Sequence, residues 1–192
     1  MNDLDENSTA WRRALRQEMA ARRAALADPE HAALSARIVA HAEAALARPA
    51  IAAFCWPIKH EPDVRALLQS WREAGVRAAL PVVVAEHEAL RFREWAPDTP
   101  LAADRYGIPT PSAGDWLTPD LILLPLNGFD GAGYRLGYGG GYFDRTLAAL
   151  SPRPLAVGVG FEINRVASIR PQPHDQRLDW IITENGAFRP AA

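Results

Sequence analysis

The chain has 192 residues, of which 48% are hydrophobic, and its 21 basic and 23 acidic side chains leave a net charge of −2. These values are ordinary for a globular protein, and they argue against nucleic acid as the main partner, because that work needs a basic surface. One cysteine, Cys55, excludes an internal disulfide and a thiolate zinc site. The polar start has no secretory pattern and no apolar run could span a bilayer, so we expect a cytoplasmic chain without membrane contact.

Two helices are predicted first, an amphipathic one over residues 9–27 and a second one over residues 29–47. The second has Asp28 as its predicted cap and Pro29 in its first turn, followed by Pro49 beyond its end. A third helix is predicted over 64–74, with Gly75 as a left-handed cap.

The first helix carries five arginines against a single acid. Arg12, Arg16 and Arg23 share one face at helical spacing. A solvated basic face is the commoner meaning of such a pattern, and binding of nucleic acid or an acidic partner is the alternative.

From residue 51 onward, apolar runs alternate with helical patterns, which is typical of a parallel sheet with crossover helices. Residues 96–120, rich in proline, aspartate and threonine, are predicted to be a long ordered connection. We therefore expect one α/β domain over 1–192, a mostly parallel sheet flanked by helices, with loose ends at 1–8 and 189–192. The predicted strands are 51–56, 76–84, 90–95, 121–124, 155–161 and 180–183.

Residues 121–150 carry the strongest functional signal. An apolar strand leads into a glycine-dense turn with the run GYGGG at 137–141, and a helix is predicted to begin near Tyr142. This order places backbone N–H groups and the positive end of a helix at the carboxyl edge of the sheet, where they suit a phosphate. Arg135 and Arg145 flank the turn as fixed cations. The alternative is a tight turn or a mobile hairpin tip.

The spacing of these glycines excludes two familiar phosphate loops. No Gly-x-x-x-x-Gly-Lys-Ser/Thr occurs, and Tyr142 stands where a dinucleotide fingerprint needs glycine. The residues alone thus predict an anion at a helix start and leave the reaction open.

Carboxylates and aromatics near the same edge are further candidates. Asp144 and Asp175 would suit magnesium beside phosphates, or they are a helix-terminal charge and a turn residue. Glu61 either faces the ligand edge or caps a helix. Trp56 and Tyr142 either stack on a flat heterocycle or complete the core.

Residues 135–145, RLGYGGGYFDR, preceded by PLNGFD at 125–130, resemble the signature of the 5-formyltetrahydrofolate cyclo-ligase family. The resemblance extends over nearly the whole chain. It includes the basic first helix, the Glu61 segment, YGI at 106–108 and His174-Asp175.

The resemblance implies an ATP- and Mg²⁺-dependent cyclisation of 5-formyltetrahydrofolate to 5,10-methenyltetrahydrofolate, with release of ADP and phosphate. In the family, the formyl oxygen attacks the γ-phosphate and N10 of the folate then closes on the activated carbon. The resemblance also implies the three-layer fold shared with ribose-phosphate isomerases and CoA transferases, and we expect a monomer whose partner is the small-molecule folate.

The resemblance assigns roles by position. The residues implied to hold ATP are Arg12, Arg16, Arg135, Gly137, Tyr138, Gly139, Gly140, Gly141, Tyr142 and Phe143. Those implied to line the folate pocket are Trp56, Glu61 and Tyr142. Asp144 and Asp175 are the implied magnesium ligands, and Arg135, Tyr142 and Asp144 are the implied catalytic residues.

The sequence departs from the family pattern at three positions. Arg12 stands where lysine is usual, Phe143 where a second tyrosine is common, and Asn164 where glutamine is frequent. Arginine and lysine contact phosphate with different reach and geometry, so the contact from the first helix is the detail most affected.

Two other functions fit the same residues. A phosphosugar isomerase on this architecture would use the glycine loop for a substrate phosphate without consuming ATP. A non-catalytic folate- or nucleotide-binding protein, associated with RNA through the first helix, would bind without turnover and would lose affinity as salt rises.

Overall fold

Four α-helices and an eight-stranded sheet form the framework of the chain in a computed structural model, which describes residues 3–190. The helices are α1 (Asp3–Ala24), α2 (Asp28–Ala45), α3 (Arg65–Glu73) and α4 (Tyr142–Ala149). The strands of the main sheet are β1 (Ile51–Ala53), β2 (Arg77–Val82), β3 (Arg91–Trp95), β6 (Trp116–Leu117), β7 (Leu121–Pro125), β10 (Leu155–Val159), β11 (Trp180–Thr183) and β12 (Gly186–Phe188). The remaining strands form two small hairpins, β4 (Leu101–Ala103) with β5 (Pro109–Pro111) and β8 (Gly128–Phe129) with β9 (Arg135–Leu136).

The order of the main sheet is β12-β11-β10-β7-β1-β2-β3-β6. The five central strands from β11 to β2 are parallel, whereas β12 and β3 pair antiparallel with their neighbours at the two sides. A mostly parallel sheet flanked by helices was predicted, and this arrangement confirms it.

Successive residues of the central strands alternate between two apolar layers, as the pleat of a β-strand requires. On β7, Leu121 and Leu123 face the layer that includes Ile38 of α2, while Ile122 and Leu124 face the opposite layer. Helix α3 packs in the first layer and α4 in the second. The sheet is therefore covered on both faces, which explains the continuous apolar run in its sequence.

Helix α1 lies across the loops at the carboxyl ends of the parallel strands. Arg22 donates a hydrogen bond to the carbonyl of Ile163 after β10, and Arg23 donates to that of Asn127 after β7. The apolar stripe of the helix, with Leu15 and Met19, is buried against Leu136 and neighbouring side chains. One helix is thereby placed at the edge where open α/β sheets bind ligands.

The predicted helices are present, but α1 and α2 end at Ala24 and Ala45, before the predicted residues 27 and 47, and their starts also differ. Helix α1 begins at Asp3, earlier than the predicted residue 9, and residues 1–2 of the predicted acidic lead lie outside the described part. The predicted cap of α2 was wrong, because the cap residue is Ala27 and Asp28 is in the first turn, where its charge still favours the helix dipole. Gly75 has φ +91°, which confirms the left-handed cap after α3.

The prediction for residues 96–120 was wrong in one respect. The segment contains the strands β4, β5 and β6. Pairing with neighbouring strands stabilises them, rather than an alternating side-chain pattern. The β4–β5 hairpin, for example, is built largely from proline, alanine and threonine. The strand β12 and the β8–β9 hairpin also had no sequence prediction. At the other end, residues 191–192 of the predicted loose tail lie outside the described range.

None of the helices within residues 3–190 combines the length and the apolar character needed to cross a membrane.

Candidate active site

The loop at residues 137–141 joins the β8–β9 hairpin to α4 and needs glycine at specific places. Gly139 and Gly141 have φ of +98° and +64°, a region that residues with a side chain rarely adopt. Gly141 is also the cap residue at the start of α4, so the loop leads directly into the positive end of that helix. The predicted order of strand, glycine loop and helix is therefore present, with a short hairpin inserted between β7 and the loop.

Arg16 of α1 contacts this loop directly. Its Nε donates to the carbonyl of Gly137 at 2.7 Å, and a Cβ added to Gly139 would lie 3.4 Å from its guanidinium carbon. Burial, followed by repulsion from Arg12, lowers the pKa of Arg16 from its usual value. The structure therefore places a predicted ATP-binding arginine against the predicted phosphate loop.

Arg12 lies one turn away and is bound to Asp175. The two side chains form an ion pair in which Arg12 Nη2 donates to Asp175 Oδ2, and both are nearly buried, with side-chain exposures of 10% and 7%. Arg12 Nη2 also donates to the carbonyl of Arg170, while its buried Nε has no partner within residues 3–190. A predicted ATP ligand and a predicted metal ligand are thus in contact.

Arg135 and Asp144 form a second ion pair beside the first. Arg135 Nη2 donates to Asp144 Oδ1 at 3.2 Å, and the guanidinium is 4% exposed. Burial lowers the pKa of Arg135, and the Asp144 charge opposes that change. The backbone N–H of Gln176 also donates to Asp144 Oδ1 at 3.0 Å, which brings the residue next to Asp175 against Asp144.

The five charged groups at this point are three guanidiniums, Arg12, Arg16 and Arg135, and two carboxylates, Asp144 and Asp175. Their sum is 3 − 2 = +1, which suits an anionic ligand. The predicted solvated basic face of α1 was wrong for two of its three arginines, because Arg12 and Arg23 are buried, with exposures of 8% and 0%.

The carboxylates near the glycine loop determine whether this site could hold magnesium. Within the described residues, no group of three or more histidine, cysteine or acidic side chains could hold a metal ion. Two carboxylates remain, and both described contacts of Asp144 fall on Oδ1. Mg²⁺ is usually bound by one or two carboxylates together with phosphate oxygens and water, so this donor set fits magnesium that accompanies a nucleotide.

Tyr142 faces the β4–β5 hairpin. Its hydroxyl lies 2.8 Å from that of Tyr106, and the guanidinium of Arg145 lies 5.3 Å from the centre of its ring. Arg145 also donates to the carbonyl of Gly140. At the level of the sequence, YGI at 106–108 was only one part of the resemblance, and Tyr106 had no assigned role. Phe143 instead packs on the apolar layer beneath α4.

Glu61 is a buried carboxylate, 4% exposed, in the loop after β1. It accepts hydrogen bonds from the Tyr138 hydroxyl and from the Ile58 N–H. Burial raises the pKa of Glu61, while Tyr138 and then Ile58 oppose this shift. A predicted folate-binding residue and a predicted ATP-binding residue are therefore hydrogen-bonded to each other.

Arg23 of α1 donates hydrogen bonds to the loop after β1 and to the loop after β7. It donates from Nη1 to the carbonyl of Asn127 at 3.2 Å and from Nε to that of Lys59 at 3.3 Å. Asn164 donates to the same Asn127 carbonyl at 2.8 Å, which gives the departure from the family pattern at residue 164 a structural role. Within residues 3–190 the buried Arg23 Nη2 has no partner.

Trp56 lies on the other side of the loop, with its ring edge-on to Trp95 at 6.2 Å and Arg65 5.4 Å from its centre. Its neighbours belong mainly to the core, in line with the second of the two sequence interpretations. Cys55 lines a cavity of about 10 Å³ beside Glu61, and burial raises the pKa of its thiol, which therefore stays protonated.

Comparison with known proteins gives consistent matches. A model described as "5-formyltetrahydrofolate cyclo-ligase family" matches residues 8–184. A 5-formyltetrahydrofolate cyclo-ligase of Mycolicibacterium smegmatis is 32% identical over 139 residues, which is 66% of this chain and 70% of the relative. One of Haemophilus influenzae is 32% identical over 126 residues, which is 62% of this chain and 67% of the relative.

Solved structures show the same relationship. The NMR structure of Aquifex aeolicus 5,10-methenyltetrahydrofolate synthetase superposes with a TM-score of 0.80 and 26% identity, covering 94% of this chain and 93% of that one. The structure of a 5,10-methenyltetrahydrofolate synthetase from Mycoplasma pneumoniae gives 0.74 and 26%, covering 90% and 98%. From its residues, its fold and these matches, the chain belongs to the 5-formyltetrahydrofolate cyclo-ligase family.

Proposed function

We propose that this chain converts 5-formyltetrahydrofolate to 5,10-methenyltetrahydrofolate and uses ATP, with release of ADP and phosphate. The observation that carries the proposal is the family match over residues 8–184, which includes the glycine loop that Arg16 contacts. A family match of this extent favours the cyclo-ligase over a phosphosugar isomerase or a binding protein, because the relatives that match are named for this reaction.

The nucleotide phosphates bind in this proposal between the 137–141 loop and the arginines of α1 and β9. The loop offers backbone N–H groups at the start of α4, and Arg16 and Arg135 supply positive charge. Arg12, one turn from Arg16 and paired with Asp175, would add a further positive charge beside them. Phosphoryl transfer requires positioned cations and no covalent nucleophile, which matches the groups present.

Asp144 and Asp175 hold magnesium in this proposal, with phosphate oxygens and water completing its shell. The ion supplies charge neutralisation between phosphate oxygens. Asp144 stays fixed by the Gln176 N–H and by Arg135, so its free oxygen faces the same ligand each time. Precise placement of this kind is the main contribution of the protein to phosphoryl transfer.

The folate lies next to Glu61 and Tyr142 in this proposal, with Trp56 at the outer side. The formyl oxygen bonds to the γ-phosphorus as ADP leaves. N10 then bonds to the formyl carbon and gives up its proton to the departing phosphate, which leaves with that oxygen. Ring closure is driven largely by proximity, so the protein has to hold N10 near the carbon and exclude water.

Three broader properties belong to the same proposal. The helices on both faces of a mostly parallel sheet support the ribose-phosphate isomerase-like three-layer architecture. The ordinary balance of charge and hydrophobicity supports a monomeric cytoplasmic protein.

The direct test mixes the protein with 5-formyltetrahydrofolate and MgATP and follows the near-ultraviolet absorbance of the methenyl product. We expect an increase that requires both ATP and magnesium. Folded protein that gives no ATP-dependent increase, while a known cyclo-ligase does so in the same cuvette, would refute the function.

Asp144→Asn tests the metal assignment within that assay. The amide oxygen can still accept from Gln176, so the fold should persist, but the charge for magnesium is lost. We expect kcat to fall at least about a hundredfold, the scale of losing a preorganised electrostatic contact in a transition state. Asp98→Asn, at an exposed acid in the 96–100 turn, is the matched control and should retain normal activity. Surviving activity in Asp144→Asn would show that the assignment is wrong.

A further inference from the structure

The hydrogen bond between Tyr138 and Glu61 crosses the boundary between the two predicted halves of the site. Tyr138 belongs to the glycine loop that the proposed function gives to ATP, whereas Glu61 belongs to the loop that it gives to folate. The Tyr138 hydroxyl donates to Glu61 Oε1. The residue is 43% exposed, but its hydroxyl is directed inward to a carboxylate that is 4% exposed.

The loop side of this contact is held by α1. Tyr138 stands between Gly137, whose carbonyl accepts from Arg16, and Gly139, which lies against the same guanidinium. With positive φ at Gly139 and Gly141, the loop backbone has few restraints of its own. A phenol fixed at residue 138 therefore determines where the neighbouring N–H groups point.

The Glu61 side of the contact is rigid. Its second oxygen accepts from the Ile58 N–H at 3.0 Å, and its own N–H donates to the Ile58 carbonyl at 3.0 Å. The two residues before it, Lys59 and His60, have φ of 49° and 55°, a left-handed conformation that persists in residues with a side chain only where neighbours enforce it. Arg23 supplies such a neighbour through the Lys59 carbonyl.

Lys59 adds a second contact to the same tyrosine. Its Nζ lies 5.1 Å from the centre of the Tyr138 ring, within the range of a cation–π interaction. The ring and the hydroxyl of Tyr138 are thus both held by the loop after β1. The hydroxyl contact can be removed alone by Tyr138→Phe, since the ring is retained.

We propose that Tyr138 is a positioning residue that anchors the phosphate loop to Glu61, so that the folate side of the site sets the geometry of the nucleotide side. This inference rests on the proposed function. It gives Glu61 an effect on nucleotide affinity, although no described contact joins Glu61 to the rest of the 137–141 loop within residues 3–190. That effect passes through the Tyr138 hydroxyl.

The test is a double-mutant cycle on nucleotide binding. The dissociation constant of a non-hydrolysable MgATP analogue is measured by calorimetry for wild type, Tyr138→Phe, Glu61→Gln and the double variant. We expect Tyr138→Phe to weaken binding about three- to tenfold, as loss of a hydrogen bond of ordinary net strength does. Glu61→Gln should weaken it less, and the double variant should bind like Tyr138→Phe alone, because Glu61 acts through the hydroxyl.

Tyr134→Phe is the matched control. Tyr134 lies in the β8–β9 hairpin, its side chain packs against the cluster that includes Leu15 and Met19, and no described contact within residues 3–190 joins it to Glu61. This control should bind the analogue with unchanged affinity. A general loosening of the fold would affect both tyrosine variants, whereas the proposed role affects only Tyr138.

The possible outcomes distinguish a failure of the proposed function from a failure of the role proposed for Tyr138. Wild-type protein that does not bind the analogue contradicts the proposed function and the inference with it. Wild-type binding with an unchanged constant for Tyr138→Phe, or with effects that multiply in the double variant, overturns the inference alone. Should Glu61→Gln fail to fold, the comparison of Tyr138→Phe with Tyr134→Phe decides the matter.

Discussion

Helices α1 and α2 follow each other in the chain and have similar lengths of 22 and 18 residues, yet they bury different kinds of side chain. Helix α2 buries Ile38 and Ala42 on an apolar face of the sheet. Helix α1 buries Arg12 and Arg23 as well as an apolar stripe. The difference follows from what each helix covers.

Ile38 and Ala42 of α2 pack on an apolar face of the sheet, where aliphatic side chains fit, and the polar contacts of α2, such as that of His31 with the Glu61 carbonyl, come from other residues. The surface under α1 consists of loop ends whose carbonyls need donors, and arginine supplies several from one side chain. Arg16 and Arg23 together bind carbonyls of three loop residues, Gly137, Lys59 and Asn127. A basic helix face can thus be an inward face when it covers strand ends.

Arg16→Met tests this difference between α1 and α2 with the largest expected effect. Loss of the guanidinium removes a charge next to the phosphate loop but little buried area, so we expect kcat/KM to fall about a hundredfold with the melting temperature nearly unchanged. Steady-state kinetics with varied MgATP and thermal unfolding measure the two quantities.

Arg37→Met is the control on the other helix, because Arg37 is exposed on α2. It should leave kcat/KM within about twofold of wild type, as surface substitutions usually have small effects. Equal losses in the two variants would mean that α1 has no special relation to the site.

Ile38→Ala makes the converse change. Ile38 is fully buried, and its truncation should reduce the free energy of unfolding by about 2–5 kcal/mol. Below the unfolding transition kcat should stay close to wild type. Chemical denaturation and the absorbance assay measure these, and Ile38→Val should give a smaller loss, about 0.5–1.5 kcal/mol. A specific loss of kcat in folded Ile38→Ala would remove the division of roles between the helices.

Both helices contact the loop that contains Glu61, and substitution of Glu61 gives the smallest expected effect. Arg23 of α1 holds the carbonyl of Lys59, while His31 Nε2 of α2 donates to the carbonyl of Glu61 at 2.9 Å. Burial raises the pKa of Glu61 above its value of 4.5 in the unfolded chain. The folded state therefore binds the proton more tightly than the unfolded state does, and wild type loses this advantage as the pH rises through the folded pKa.

Glu61→Gln cannot ionise and should lack that dependence. We expect its free energy of unfolding, relative to wild type, to be lowest below pH 4.5 and to increase as the pH rises above that value. Urea unfolding of both proteins between pH 4 and pH 8 measures the difference. A difference that is constant with pH would mean that burial does not shift this carboxyl.

The sequence was sufficient for the framework because the central strands consist largely of apolar residues between turn residues. It also indicated the glycine loop, since the glycine run at 137–141 does not fit a helix or a strand. The resemblance then brought in Glu61 and Asp175, whose residue types alone left their meaning open.

Other features depend on tertiary contacts and had no local signal. The shared face of Arg12, Arg16 and Arg23 was visible, but whether it pointed inward depended on carbonyls more than a hundred residues away, such as that of Asn127. The hairpin that brings Tyr106 to Tyr142 is held by pairing of β4 with β5, whose two prolines ordinarily indicate a loop.

Lys59 is the single lysine of the chain, exposed and close to the ring of Tyr138. Amine-selective labelling therefore has one side-chain target, besides the α-amino group, and that target lies at the edge of the phosphate loop. An environment-sensitive fluorophore attached there would report nucleotide arrival directly, without engineered cysteines or a coupled enzyme.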